Sequence, residues 1–166
     1  MKKLIFVLLL SSIASGAFAN NAAVATVQRM YTEASKGIPG ITVVEKYADS
    51  SLKQAMRAAD KYTERTGYIC TDADPMWDNQ DPQEKAKVSV TSLGGNKVKA
   101  SFKQYGKNVK RIYTLNCNEN SCKVSDVSGL KHELIQCRKL VNYLLTIRQP
   151  ENAQSRFQAA SSHSQH

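Results

Sequence analysis

Between residues 67 and 82 the hydrophobic spacing of this chain changes from that of helices to that of strands. That change limits the folds open to it. The stretch reads GYICTDADPMWDNQDP and holds Asp72, Asp74, Asp78 and Asp81, the single tryptophan Trp77, Cys70 and two of the four prolines. Asp-Pro dipeptides begin turns, and aspartate side chains cap backbone amides. The stretch reads as the joint between two halves of one domain.

Upstream of the joint, Asn20 to Lys36 sets Val24, Val27, Met30, Tyr31 and Ala34 at helical spacing, and Gly37, Pro39 and Gly40 stop the run. Ile41 to Val44, the β-branched run ITVV, predicts a short strand or an extended connector. Asp49, Ser50 and Ser51 offer helix caps, and Ser51 with Gln54 has capping-box spacing. A helix is expected from there to about Thr66, with Leu52, Ala55, Met56, Ala59 and Tyr62 on one face and Gly67 ending it.

Downstream the period is two. Lys85–Leu93 and Lys97–Tyr105 alternate, with turns at Gly94-Gly95-Asn96 and Gly106-Lys107-Asn108; Val109–Asn116 and Cys122–Val127 follow. Short turns between successive strands imply an antiparallel meander. Leu130 to Arg148 returns to helix, with an apolar stripe from Leu130, Leu134 and Ile135 through Leu140, Val141, Leu144 and Leu145. The fold class is α+β: a curved four-strand antiparallel meander packed on two N-terminal helices and a C-terminal helix. Residues 20–148 form one domain, and the polar, aperiodic segment 149–166 is expected to be a disordered tail.

The first 19 residues read as a secretory signal peptide. Lys2 and Lys3 precede an apolar run from Leu4 to Leu10, and Ala17-Phe18-Ala19 is a small-x-small cleavage site. The apolar run is shorter than the roughly 20 residues a membrane span needs. A soluble, periplasmic or secreted protein with no transmembrane segment after cleavage is expected. Cleavage leaves 166 − 19 = 147 residues, with 21 basic and 14 acidic side chains, a net +7. Such a charge suits an acidic protein partner or an anionic envelope component, as well as simple solubility. Nucleic acid is not expected as a partner outside the cytoplasm.

Cys70, Cys117, Cys122 and Cys137 are even in number and lie in an exported chain, so two disulfides are expected. Three pairings are open. In one, Cys117 and Cys122 close a hairpin neck and Cys70 ties the joint to the C-terminal helix through Cys137. A four-thiolate metal site is disfavoured, because no C-x2-C pair is present.

The joint pattern of Asp72, Asp74 and Pro75, then Gln80, Asp81 and Pro82, lies between two helices and a four-strand meander. With the Tyr113–Leu115 and Lys123–Val127 segments, it resembles a bacterial family of small secreted proteins of unknown function. That family is similar to the nuclear-transport-factor-2-like, or cystatin-like, superfamily. The resemblance spans roughly Val24 to Leu145. It departs at Met76, where the family has an aromatic residue, and at Cys122-Lys123-Val124, where the family often has tryptophan. It implies a sheet wrapped around helices as an open-mouthed cone, a form that hosts enzymes, binding proteins and immunity proteins alike.

Two candidate sites follow from the residues. Asp72 and Asp74, with Trp77 and Tyr68, could line a pocket. The spacing fails the EF-hand pattern, since Met76 and Trp77 stand where a ligand and glycine belong. A looser calcium site, or a carboxylate pair in an apolar cleft, is the other reading. The second candidate is a basic sheet face. Lys85, Lys87, Lys97, Lys99 and Lys103 share one outward strand phase. Lysines there also discourage edge pairing. No Gly-x-Ser-x-Gly elbow, phosphate loop or dinucleotide fingerprint occurs. The expectation is an exported, non-catalytic binding module without metal or cofactor, acting by contact as an inhibitor or immunity protein. The alternative is a small-ligand binder or enzyme using the pocket near Asp72, Asp74 and Trp77.

Overall fold

A computed structural model describes the backbone over residues 14–119 and 121–147, with side chains over 21–119 and 121–139. The expected leader residues 1–13, the tail 149–166 and the apolar stripe from Leu140 to Leu145 lie outside those described backbone or side-chain ranges. The elements are α1 (Ala14–Ala34), α2 (Gly40–Tyr47), α3 (Ser50–Thr66), β1 (Ser89–Gly94), β2 (Lys97–Gln104), β3 (Lys107–Cys117), β4 (Cys122–Val127) and α4 (Leu130–Ile147). The strands form one four-stranded antiparallel sheet in the order β1-β2-β3-β4. The fold is therefore α+β with an open meander, and α1 runs on through the expected cleavage point at Asn20.

Helix α1 packs across the sheet because its stripe of Ala23, Val27, Met30, Tyr31 and Ala34 is buried there. The inner faces of β2 and β3 supply Val98, Ala100, Phe102, Tyr113 and Leu115. Between them sit the rings of Tyr31, Trp77 and Phe102, edge to face or tilted, with centroids 5.0 to 5.8 Å apart. The Tyr113 hydroxyl donates to the Tyr31 hydroxyl, which donates to the Met76 carbonyl, each at 2.9 Å. Burial pushes both phenols well above the ordinary tyrosine range, so they stay protonated at neutral pH. This polar thread fixes α1, β3 and the joint against one another.

The run ITVV forms helix, not strand. Gly40, Val43 and Val44 are buried, and Ile41 and Thr42 face outward, so burial follows a helical period that overrides β-branched propensity. The Lys46 ammonium and the Tyr47 hydroxyl both donate to Glu33 and tie α2 to α1.

Helix α3 starts at Ser50, and its cap is Asp49 rather than a Ser51–Gln54 box. Asp49 Oδ1 accepts from the Leu52 amide and the Ser51 hydroxyl, both at 2.8 Å, and Oδ2 accepts from Asn116. The Asp49 amide donates to the Val124 carbonyl, so the α2–α3 connection also covers the β4 edge. Gly67 ends α3 in the left-handed conformation, with φ 72°.

Partial burial raises the Asp49 pKa, but hydrogen bonds from Leu52, Ser51 and Asn116 and the nearby Lys131 charge outweigh it and hold the carboxyl below its usual range. A depressed carboxyl stabilises the fold above its unfolded value and loses that contribution as pH falls through the folded one. Asp49→Ala should cost about 1–2 kcal/mol at pH 7. The gap from wild type in urea unfolding should narrow below pH 4. A gap constant from pH 7 to pH 2 would show the cap to be charge-independent.

The strand boundaries differ most from expectation at two places. The first strand begins at Ser89 rather than Lys85, because Glu84-Lys85 turns and residues 86–88 do not ladder to β2. The β2–β3 turn is Tyr105-Gly106, one residue earlier than the glycine signal placed it. Both turn residues have positive φ, 48° and 78°, the two-residue hairpin conformation. A tyrosine there is held by its own bonds. Its amide donates to Gln83 Oε1 and its hydroxyl to the Asp81 carbonyl.

Candidate functional site

The joint does not gather Asp72, Asp74, Trp77 and Tyr68 into a pocket. Trp77 is 1% exposed and part of the aromatic core, whereas Tyr68 is 59% exposed and Asp72 lies at the surface. Asp74 is half-buried, and its carboxylate is taken up by backbone. Oδ2 accepts from the Gly40 amide at 2.6 Å, and Oδ1 accepts from the amides of Met76 at 2.8 Å and Trp77 at 3.2 Å. A Cβ on residue 40 would collide with that carboxylate, so Gly40 is the residue that lets α2 start against the joint. Arg111 fastens the other side. Its Nε donates to the Pro75 carbonyl at 2.9 Å, and its guanidinium pairs with Asp78 at 2.8 Å. The small cavity beside Asp74 and Arg111 measures about 120 Å³. No cluster of three or more metal-ligating side chains occurs among the described residues.

The cysteines pair as Cys70–Cys137 and Cys117–Cys122. The first binds the joint to α4, and the second closes the neck of the β3–β4 hairpin. No free thiol occurs among the described cysteines, and no described helix is long and apolar enough to cross a membrane.

The lysines do converge. Lys97, Lys99 and Lys103 alternate along β2 with buried Val98, Ala100 and Phe102. Across the strand pair, Ser101 faces Lys110 and Lys103 faces Asn108, so Lys110 belongs to the same outer face. Arg111 and Lys107 fall on the opposite phase, one residue from Lys110 and Asn108, and Arg111 serves the joint instead. Lys85 and Lys87 continue the outer phase ahead of Ser89 and are exposed. None of Lys85, Lys87, Lys97, Lys99, Lys103 and Lys110 is in an ion pair among the described residues.

Where residues 84–88 bow away from β2, an open trough of about 990 Å³ forms. Lys85, Lys87, Ser101, Lys103, Asn108 and Lys110 line it, while the intervening Ala86, Phe102 and Val109 pack on the core. The trough is bounded at both ends. Ser89 pairs with Ser101 at one. At the other, the Gln83 amide donates to Gln104 Oε1 at 2.9 Å and Gln83 Oε1 accepts from Tyr105. Strict alternation concealed this bow, since it extends the first strand through Lys85. The available signal was Gln104, a polar residue on the inner phase of β2 that is buried in the fold.

A second groove of about 420 Å³ lies between α2 and α3, over Met56, Ala59 and Leu134. Burial, then the charges of Glu45 and Glu64, push the Asp60 carboxyl up. Ile41 and Ile69 stand exposed at this groove.

No protein-family model and no curated protein matches the chain. Among solved structures it is similar to a crystal structure of a protein of unknown function from Bacteroides thetaiotaomicron, with 18% sequence identity and a TM-score of 0.50 over 69% of this chain and 95% of that one. At that identity the likeness is one of fold alone.

Proposed function

We propose that this is an exported, non-catalytic binding module that acts by contact, docking an acidic protein partner on the lysine-bearing outer face of its sheet. Neutralising a toxin or a wall-degrading enzyme in the same periplasmic compartment is the most specific form of that role. The observation that carries the reading is the outer face itself: Lys85, Lys87, Lys97, Lys99, Lys103 and Lys110 stand on one surface, and among the described residues no carboxylate is paired to any of them. Unneutralised like charges repel, and a partner of opposite charge relieves that repulsion while gaining attraction steered over a Debye length. Two disulfides and the leader-like N-terminus favour an oxidising compartment. The order of helices, joint, meander and closing helix is compatible with the proposed nuclear-transport-factor-2-like kinship.

The test is capture from periplasmic extract on immobilised protein. The variant Lys97→Glu/Lys99→Glu/Lys103→Glu should retain at least tenfold less of the partner than wild type, and added salt should elute the partner from wild type. Lys53→Glu/Lys61→Glu on α3 should retain it fully. Equal capture by the β2 variant overturns the reading.

A further inference from the structure

We propose that the free edge of β1 is a strand-addition site, on which an acidic segment of the partner docks in extended form as a further strand of the sheet. The proposal rests on the lysine face being a docking surface and specifies how its occupant is held. The two edges of the sheet differ. At β4 the α2–α3 connection lies along the edge, with Ala48 bridged to Val124 and the Asp49 amide bonded to the Val124 carbonyl. At β1, the other end of the order β1-β2-β3-β4, no described strand or bridge occupies the outer edge. An edge strand of an antiparallel ladder turns the amide and carbonyl of every second residue away from its neighbour. The strand carries none of the side chains that usually block such an edge, since its sequence SVTSLG has no charge and no proline. Ser89, Thr91, Ser92 and Leu93 are exposed, and Val90 packs on the core and holds the strand in place. The register shift between Ser92 and Gly94 ends the regular edge, so the stretch open to pairing is Ser89–Ser92.

Charge selects the occupant. Lys99 stands opposite Thr91 and Lys97 opposite Gly94, both on the outer phase of β2. Lys85 and Lys87 precede β1 and are exposed. An added strand lies about 10 Å from β2, a gap that a lysine and a glutamate side chain reaching toward each other span. Carboxylates at every second position of that strand therefore face lysines along its length, while backbone bonds to β1 hold it whatever its sequence. A second copy of this chain is the poorer occupant. Antiparallel pairing of two β1 edges sets both lysine faces on one surface of a continuous sheet, like charge beside like. A free anion has no backbone to offer the edge.

The experiment uses fluorescence anisotropy on the full mature chain with a labelled heptapeptide that alternates glutamate and threonine. Two further versions carry backbone N-methyl groups, one on the glutamates and one on the threonines. Only one of these sets turns its amides toward β1, so one version should bind at least about tenfold more weakly than the parent and the other within about twofold. Amides of Ser89–Ser92 should exchange more slowly with the parent bound. Equal binding of all three peptides, each weakened by Lys97→Glu/Lys99→Glu/Lys103→Glu with an unchanged melting temperature, overturns strand addition and leaves the lysine face standing. Equal weakening by both methylated sets, or unaltered exchange along β1, also overturns strand addition, because an added strand bonds through one edge. Parent binding that the β2 variant leaves unchanged overturns the lysine face as the dock and the proposal with it. Absence of parent binding overturns strand addition, and capture from periplasmic extract then decides the lysine face by itself. A dimer in sedimentation that the peptide dissociates assigns the edge to a second copy and overturns the acidic segment as its occupant.

Discussion

Removing the Cys70–Cys137 bridge, by Cys70→Ser with Cys137→Ser, is expected to lower stability by about 4 kcal/mol and the melting temperature by roughly 10–15 °C. The bridge closes a loop with a sequence separation of 67. In the chain-entropy account its main effect is on the unfolded chain, which it denies most of its end-to-end freedom. The Cys117–Cys122 bridge spans a separation of only 5, and the same account gives it about 2 kcal/mol. The two removals therefore form an internal comparison, read from urea midpoints under non-reducing conditions. A short-loop removal that costs as much as the long one would contradict the entropic assignment. It would mean that the hairpin neck carries native-state interactions that its loop length does not describe.

The second large effect is expected at Asp74. Asp74→Ala should cost about 3–5 kcal/mol, because three half-buried backbone amides lose an ionised acceptor at once. Asp74→Asn separates the contributions. One amide oxygen remains to serve Met76 and Trp77, whereas the position facing Gly40 becomes a donor facing a donor. An intermediate loss is expected, together with a changed near-ultraviolet signal from Trp77. Gly40→Ala should resemble Asp74→Ala, since the added Cβ occupies the place of the carboxylate. A loss under 1 kcal/mol for Asp74→Ala would show that the joint holds itself without its central carboxylate.

These two sites show where sequence reasoning reached and where it stopped. The period change located the joint and the meander correctly, since burial along β2 follows its alternation residue by residue. The strand order and the element types other than α2 follow from that pattern. ITVV misled because four β-branched residues carry no record of the Asp74 carboxylate that fixes the start of α2, 34 residues away. The same holds for the joint. Asp72, Asp74, Trp77 and Tyr68 are neighbours in sequence, but the Asp74 turn sends Trp77 inward and leaves Asp72 and Tyr68 outside. The lysine face was legible because a strand's period assigns its sides. The trough was not, because its opening depends on Gln83 and Gln104 meeting across 21 residues.

The bridges are nested, one lying wholly within the loop of the other. A polypeptide threaded N-terminus first into an oxidising space presents Cys70, then Cys117 and Cys122, and Cys137 last. An oxidant acting on thiols as they arrive would join Cys70 to Cys117, a pair absent from the finished fold. Maturation thus requires either that Cys70 stay reduced until the last helix emerges, or that a wrong bond be broken by thiolate attack and exchanged for the right one. In an oxidising compartment the nested connectivity thus leaves isomerisation as one of two routes to the finished fold.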